Sequence, residues 1–235
     1  MRTQNQAMPT NRSSWAARSL AVLIKDIRSE MRTRYAIGAI IMFAIITVVA
    51  VGFSLGGIPI DLNLQGILFW LVIYFASVAG LGQSFIKEEE GKTALALRIY
   101  APSLSVFGGK FLFNLMLLIA LEIILVPLFA MLIGLEIRCF SLFSAVLALA
   151  TFGLACSTTI VAAIIAKASI KGVLFTVLSF PLILPLLVMA IRATQKSLSM
   201  GAVFGDGLAE LQVLISYAIV MLIAGLLLFD FVWND

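Results

Sequence analysis

Six stretches of apolar residues, each near the twenty or so that an α-helix needs to cross a hydrocarbon core of about 30 Å, dominate this chain. They cover approximately residues 36–55, 64–86, 107–135, 140–166, 172–191 and 209–231. Of the 235 residues 62% are hydrophobic and 12% charged, where an ordinary soluble domain carries about 25% charged, so the bilayer is the solvent this composition suits. The third run is long enough to tilt or kink. The first begins only after a long charged segment and lacks a small-residue cleavage site, so it reads as a retained span rather than a signal peptide. The predicted fold class is all-α: a polytopic integral membrane protein with six transmembrane helices. It divides into a disordered terminus (1–13), an amphipathic interfacial helix (14–34) and a six-helix membrane domain (35–235).

Lysine and arginine set the expected orientation, because positive residues in short loops stay on the cytoplasmic side. Arg2, Arg12, Arg18, Lys25, Arg28, Arg32 and Arg34 precede the first span. Lys87, Lys92, Arg98 and Lys110 cluster around the second-to-third connection, and Lys167 and Lys171 separate spans four and five. The opposite side holds only Arg138, Arg192 and Lys196. Both termini are therefore expected on the cytoplasmic side. The net charge of +4 reads as topology and attraction to anionic lipid, not as nucleic-acid binding.

Catalytic and metal motifs are missing from the sequence. No metal-ligand spacing, Walker A sequence, nucleophile elbow or dinucleotide fingerprint occurs. The chain has no histidine, and so lacks the commonest general base and the commonest haem ligand. Cys139 and Cys156 sit roughly 25 Å apart by helical rise on one predicted span, too far to bridge each other. These residues give an enzyme reading, or one with a directly bound cofactor, little support.

The segment preceding the first span, SWAARSLAVLIKDIRSEMRTR, predicts an amphipathic helix. Trp15, Leu20, Leu23, Ile24, Ile27 and Met31 fall near one face, with Arg18, Lys25, Arg28 and Arg32 elsewhere. Such a helix lies in the interface with its apolar face at the acyl boundary and its cations among phosphates. The alternative is a basic leader that only sets topology.

Between spans two and three runs FIKEEEGKTALALRIYAPSLSVFGGKFLFN, a charged, helix-forming insertion. Glu88, Glu89 and Glu90 stand where the positive end of a helix dipole favours carboxylates. Ala94, Leu95, Ala96, Leu97 and Arg98 are good helix formers, and Ala101-Pro102 marks the stop. A short cytoplasmic helix over residues 89–100 follows, with Leu95 and Ile99 one turn apart and Leu97 and Tyr100 beside them. That apolar edge either receives a soluble partner or rests on the membrane surface.

Phe85, Glu89 or Glu90, Gly91, Leu95, Leu97, Pro102, Gly109, Lys110 and Asn114, followed by Pro127-Leu128-Phe129, resemble the pattern of the CcmB family, permease subunits of cytochrome c maturation systems. The resemblance covers residues 17–233 and implies an ABC-2-type permease, with an elbow helix at Trp15 to Arg32 and a coupling helix at Glu88 to Tyr100. It also implies that Glu88, Glu89, Glu90, Gly91, Leu95, Leu97, Arg98, Ile99, Tyr100 and Pro102 take force from a CcmA-like ATPase, which binds the ATP. Further implied partners are CcmC-like and CcmD-like membrane subunits, and indirectly a CcmE-like haem chaperone. In this picture haem is handled by the complex, whether it passes through this subunit or the ATPase cycle frees haem-loaded chaperone. The resemblance implies a non-catalytic subunit of the bacterial inner membrane with no directly bound cofactor, and the lack of histidine suits a subunit that transmits conformational change. An exporter of a drug, lipid or polysaccharide, and a membrane scaffold or intramembrane enzyme without an ATPase, are the alternatives. With one set of six spans, the working assembly needs two copies or a different membrane subunit alongside.

Within the spans, Glu122 is the sharpest residue. It lies about 21 Å along span three from Gly108 by helical rise, where a charge costs roughly 3 kcal/mol or more. Asn114 projects within about a quarter-turn of it, and Pro127 loosens the helix beyond. The pair is either a contact with a partner subunit or substrate path, or a hydrogen-bonded staple between spans. Gly153 and Ser157 permit close helix approach in span four. Pro181 and Pro185 leave span five either kinked or broken toward a substrate, and residues 200–207 are expected as an external loop with a possible re-entrant section.

Overall fold

The computed structural model describes residues 15–81, 88, 97, 101–166 and 171–234. Among these the chain is helical, in the order α1 (Trp15–Thr33), α2 (Tyr35–Leu55), α3 (Leu62–Leu81), α4 (Ser103–Ile133), α5 (Phe140–Ile165), α6 (Lys171–Leu198), a single 3-10 turn (Phe204–Gly207) and α7 (Leu208–Asn234). Helices α2 to α7 are each long and apolar enough to cross a membrane, which makes the protein a polytopic all-α membrane protein. The observed bounds match the apolar runs to within four residues except in the fifth span, whose helix continues from residue 191 to Leu198, and in the second. The second span is described only to Leu81, and residues 82–86 of its predicted extent lie outside the described residues.

Helix α5 is the centre of the bundle. Of its most apolar stretch 78% is buried, against 22% for α2 at the periphery. It packs most extensively on α6 and α7, and α4 lies against its other side. Small residues allow this enclosure: a methyl group at Gly153 would stand 2.5 Å from Leu186 Cδ1 of α6, inside van der Waals contact. Aromatic rings close the interior at the level of Phe69, where Trp70 and Phe129 meet it edge-on at 5.6 and 5.5 Å between centroids.

Proline does not interrupt the spans. Helix α4 continues through Pro127 for 31 residues, and α6 continues through both Pro181 and Pro185. The broken form of span five is therefore not observed. Beside the proline-bearing part of α6 the Tyr217 hydroxyl of α7 donates to the Leu182 carbonyl at 2.9 Å and ties the two helices together. Residues 200–207 form a turn and a 3-10 turn leading directly into α7, with no re-entrant section.

The passage from α1 to α2 turns on Arg34, whose φ of 52° is left-handed and uncommon for a residue with a side chain. A buried carboxylate supports the bend. Glu30 accepts from the Ile37 N–H at 3.0 Å, so a residue of α1 serves an orphan donor in the first turn of α2.

Candidate functional site

Helix α1 forms as its periodicity predicts, but it docks by a different stripe. The residues turned to the protein are Ser19, Val22, Asp26 and Glu30, all buried. Trp15, Leu20, Ile24 and Met31 stay exposed, Leu23 and Ile27 are half-buried, and Arg28 and Arg32 are exposed. The apolar face is thus free for lipid, while a polar stripe packs on α4.

Gly108 and Gly109 of α4 make that packing possible. A Cβ at Gly109 would lie 2.6 Å from Val22 Cβ and 2.8 Å from the Ser19 carbonyl oxygen, and one at Gly108 would lie 2.9 Å from Ser19 Oγ. The two backbones approach more closely than any side chain would permit. One residue further, Lys110 leaves α4 toward the same seam.

Lys110 is 1% exposed, and its ammonium sits 3.0 Å from Asp26 Oδ2 and 3.1 Å from Glu88 Oε1. Lys25 completes the group, pairing with Glu88 and lying 3.2 Å from Asp26 Oδ1. Two cations and two carboxylates therefore balance in a site where Asp26 and Glu88 are also buried. A lone charge there would be costly, and each is compensated by two opposite partners. Burial draws the Lys25 ammonium down, but the charges and hydrogen bonds of Asp26 and Glu88 outweigh it and raise its pKa above the ordinary lysine value.

Glu88 gives the cluster its interest. It belongs to the insertion between α3 and α4, whereas Lys25 and Asp26 belong to α1 and Lys110 to α4. Three separate parts of the chain meet at one ionic node. Sequence reasoning placed Glu88 at a helix dipole; the structure finds it helical, buried and held in ion pairs. Leu97, expected on an apolar docking edge, is half-buried against the core, and its carbonyl accepts from the Ala101 N–H at 3.0 Å. Pro102 caps α4, with its carbonyl accepting from Ser105 and Val106 N–H at 2.9 and 3.1 Å. Glu89, Glu90, Gly91, Leu95, Arg98, Ile99 and Tyr100 lie outside the described residues.

Deeper in the bundle Asn114 and Glu122 occupy α4 eight residues apart, and each meets a threonine of α5. Asn114 Nδ2 donates to Thr159 Oγ1 at 2.9 Å, and Thr151 Oγ1 donates to Glu122 Oε1. Thr151 and Thr159 are also eight residues apart, so two antiparallel helices are stitched at matching levels. This is the staple geometry.

Residues 17–231 match the model of a family described as CcmB protein. The chain belongs to the CcmB family. Membership makes it a multi-pass inner-membrane protein and a permease subunit with a role in cytochrome c maturation, a non-catalytic component of an ABC assembly. The matched region takes in the whole ionic node, from Lys25 and Asp26 through Glu88 to Lys110. No curated protein matches the chain. Asp26, Glu30 and the close approach at Gly108 escaped sequence reasoning, and Gly109 entered it only as part of the family pattern. A signal was available in the 3-to-4 spacing of Ser19, Val22, Asp26 and Glu30, but its mixed polarity hides it from a search for apolar periodicity.

Proposed function

We propose that this chain is the force-transmitting permease subunit of its assembly. ATP hydrolysis on a separate CcmA-like ATPase displaces the segment around Glu88, and the ionic node passes that displacement to α1 and α4. The single observation that carries the reading is that Lys110 bridges Asp26 and Glu88 in a buried site. Movement of Glu88 without its partners would strand buried charge, so α1 and the start of α4 are held to move with it.

From Lys110, α4 runs on to Asn114 and Glu122, whose bonds to α5 carry the motion into the most enclosed helix. In this reading both termini, α1 and the node lie on the cytoplasmic side, in keeping with the bias of lysine and arginine. CcmC-like and CcmD-like subunits complete the complex, with one or two copies of this chain. The work done is haem export, or release of haem-loaded chaperone of the CcmE type. Affinity purification in mild detergent tests the reading. An ATPase and haem-handling membrane proteins should accompany the chain, and a preparation in which no ATPase binds or stimulates function would contradict it.

A further inference from the structure

Helix α1 carries a basic stripe that the coupling reading uses only through Lys25. By helical periodicity Lys25, Arg28, Ser29 and Arg32 fall within about a third of a turn of one another. They lie between the buried stripe of Val22 and Asp26 and the exposed apolar stripe of Leu20, Ile24 and Met31. A recess of about 520 Å³ follows the basic stripe, lined among the described residues by these four together with Ala21 and Ile24.

The charge in the recess is not balanced from within the protein. Lys25 and Lys110 are offset by Asp26 and Glu88, whereas Arg28 and Arg32 form no ion pair with any described residue. Both arginines are exposed, and they stand four residues apart, the spacing that brings two side chains together on a helix. Two guanidinium forks at that spacing can close on one phosphate, with the Ser29 hydroxyl between them as a further donor.

On its other side the stripe borders the apolar phase. Helix α1 ends at Thr33, one residue before the membrane-crossing α2, and it packs on Gly108 and Gly109, about 8 Å into α4 by helical rise. It therefore lies at the interfacial end of the spans, with Leu20, Ile24 and Met31 exposed where acyl chains begin. Because Ile24 also lines the recess, one ligand can touch both stripes. The chemistry required of it is an anionic phosphate carrying an apolar tail.

We propose that the recess binds the headgroup of an anionic glycerophospholipid, whose phosphate is held by Arg28 and Arg32 while its acyl chains lie along Ile24. One lipid on one pair of forks differs from the general attraction of a basic helix for a charged membrane. It does not require force to pass through the ionic node, although Lys25 places the bound phosphate beside that node.

Native mass spectrometry of the full chain in mild detergent tests the site, with phosphatidylglycerol and phosphatidylcholine of the same acyl chains as probes. The native chain should retain one phosphatidylglycerol at concentrations where phosphatidylcholine is lost. Apparent affinity should fall about fivefold with Arg28→Gln or Arg32→Gln, and roughly 25-fold with both. Arg28→Lys with Arg32→Lys keeps the charge but removes the forks, and should still weaken retention several-fold. Monodispersity on size exclusion reports folding in each variant. Equal retention of the two lipids, or a lysine pair that binds as tightly as the arginines, would reduce the stripe to diffuse attraction and overturn the proposal. So would displacement of the bound phosphatidylglycerol by inorganic phosphate at equal concentration, since the apolar tail would then contribute nothing.

Discussion

Lys110 on the third span and Asp26 on the helix ahead of the first stand 3.0 Å apart, and both are buried. A buried pair of this kind has an asymmetric energetic signature. Removing one partner leaves an uncompensated charge, at a cost of roughly 3–5 kcal/mol, whereas replacing both by apolar groups of similar volume is often neutral. Lys110→Met or Asp26→Leu alone should therefore lower thermal stability in detergent by a clear margin. The double variant should recover most of it, since Lys25 and Glu88 remain as a balanced pair. Thermal unfolding followed by monodispersity on size exclusion measures all three.

The close approach of α1 to α4 depends on Gly109, where added atoms would meet Val22 and the Ser19 carbonyl. Gly109→Val should displace α1 while leaving the six spans inserted. Limited proteolysis at the exposed Arg28 and Arg32 checks this, with faster cleavage expected in the variant and no change for Gly38→Ala, a position where a Cβ meets nothing within 4 Å.

Titration of Lys25 gives a further expectation. Because its pKa is raised on folding, its contribution to stability is fully present below the ordinary lysine value of 10.5 and fades as pH climbs through the raised one. The stability difference between the native chain and Lys25→Gln should accordingly be flat across neutral and mildly alkaline pH and shrink only above that value. A difference that fell away between acidic and neutral pH would contradict the assignment.

Matched bonds from Asn114 to Thr159 and from Thr151 to Glu122 tie α4 to α5 at two levels. Interhelical hydrogen bonds in membranes contribute modestly, about 0.6 kcal/mol on average and up to about 2. Asn114→Leu should cost an amount in that range. A double-mutant cycle with Thr159→Val, read by unfolding in mixed detergent, should show that the two side chains interact.

The spans were legible in the sequence because length and hydropathy are local properties, and most of their ends fell near those of the observed helices, but the fifth runs on from residue 191 to Leu198 through Arg192 and Lys196, whose charge ended the apolar run without ending the helix. The effect of proline in α6 was not legible. Whether Pro181 and Pro185 break a helix depends on what surrounds the Val177 and Pro181 carbonyls that they leave without an N–H partner, a tertiary property that no local pattern carries. Lys110 was read as a topological cation and as part of the family pattern, but not as buried, since its burial follows only once Asp26 and Glu88 arrive from elsewhere in the chain. The apolar face of α1 pointed toward lipid and drew attention from the polar stripe, where Asp26 and Glu30 make the contacts that join α1 to its neighbours. Glu122 stood out on cost alone, but its threonine partner required the antiparallel register of α4 and α5.

The account rests on force passing through the ionic node, and the most direct test separates that link from folding and from ATPase binding. In the Lys110→Met, Asp26→Leu double variant, the purified complex should remain folded and retain its ATPase, while cytochrome c maturation in cells carrying it as sole copy is lost. Full maturation by a double variant that is folded and ATPase-bound would contradict the account.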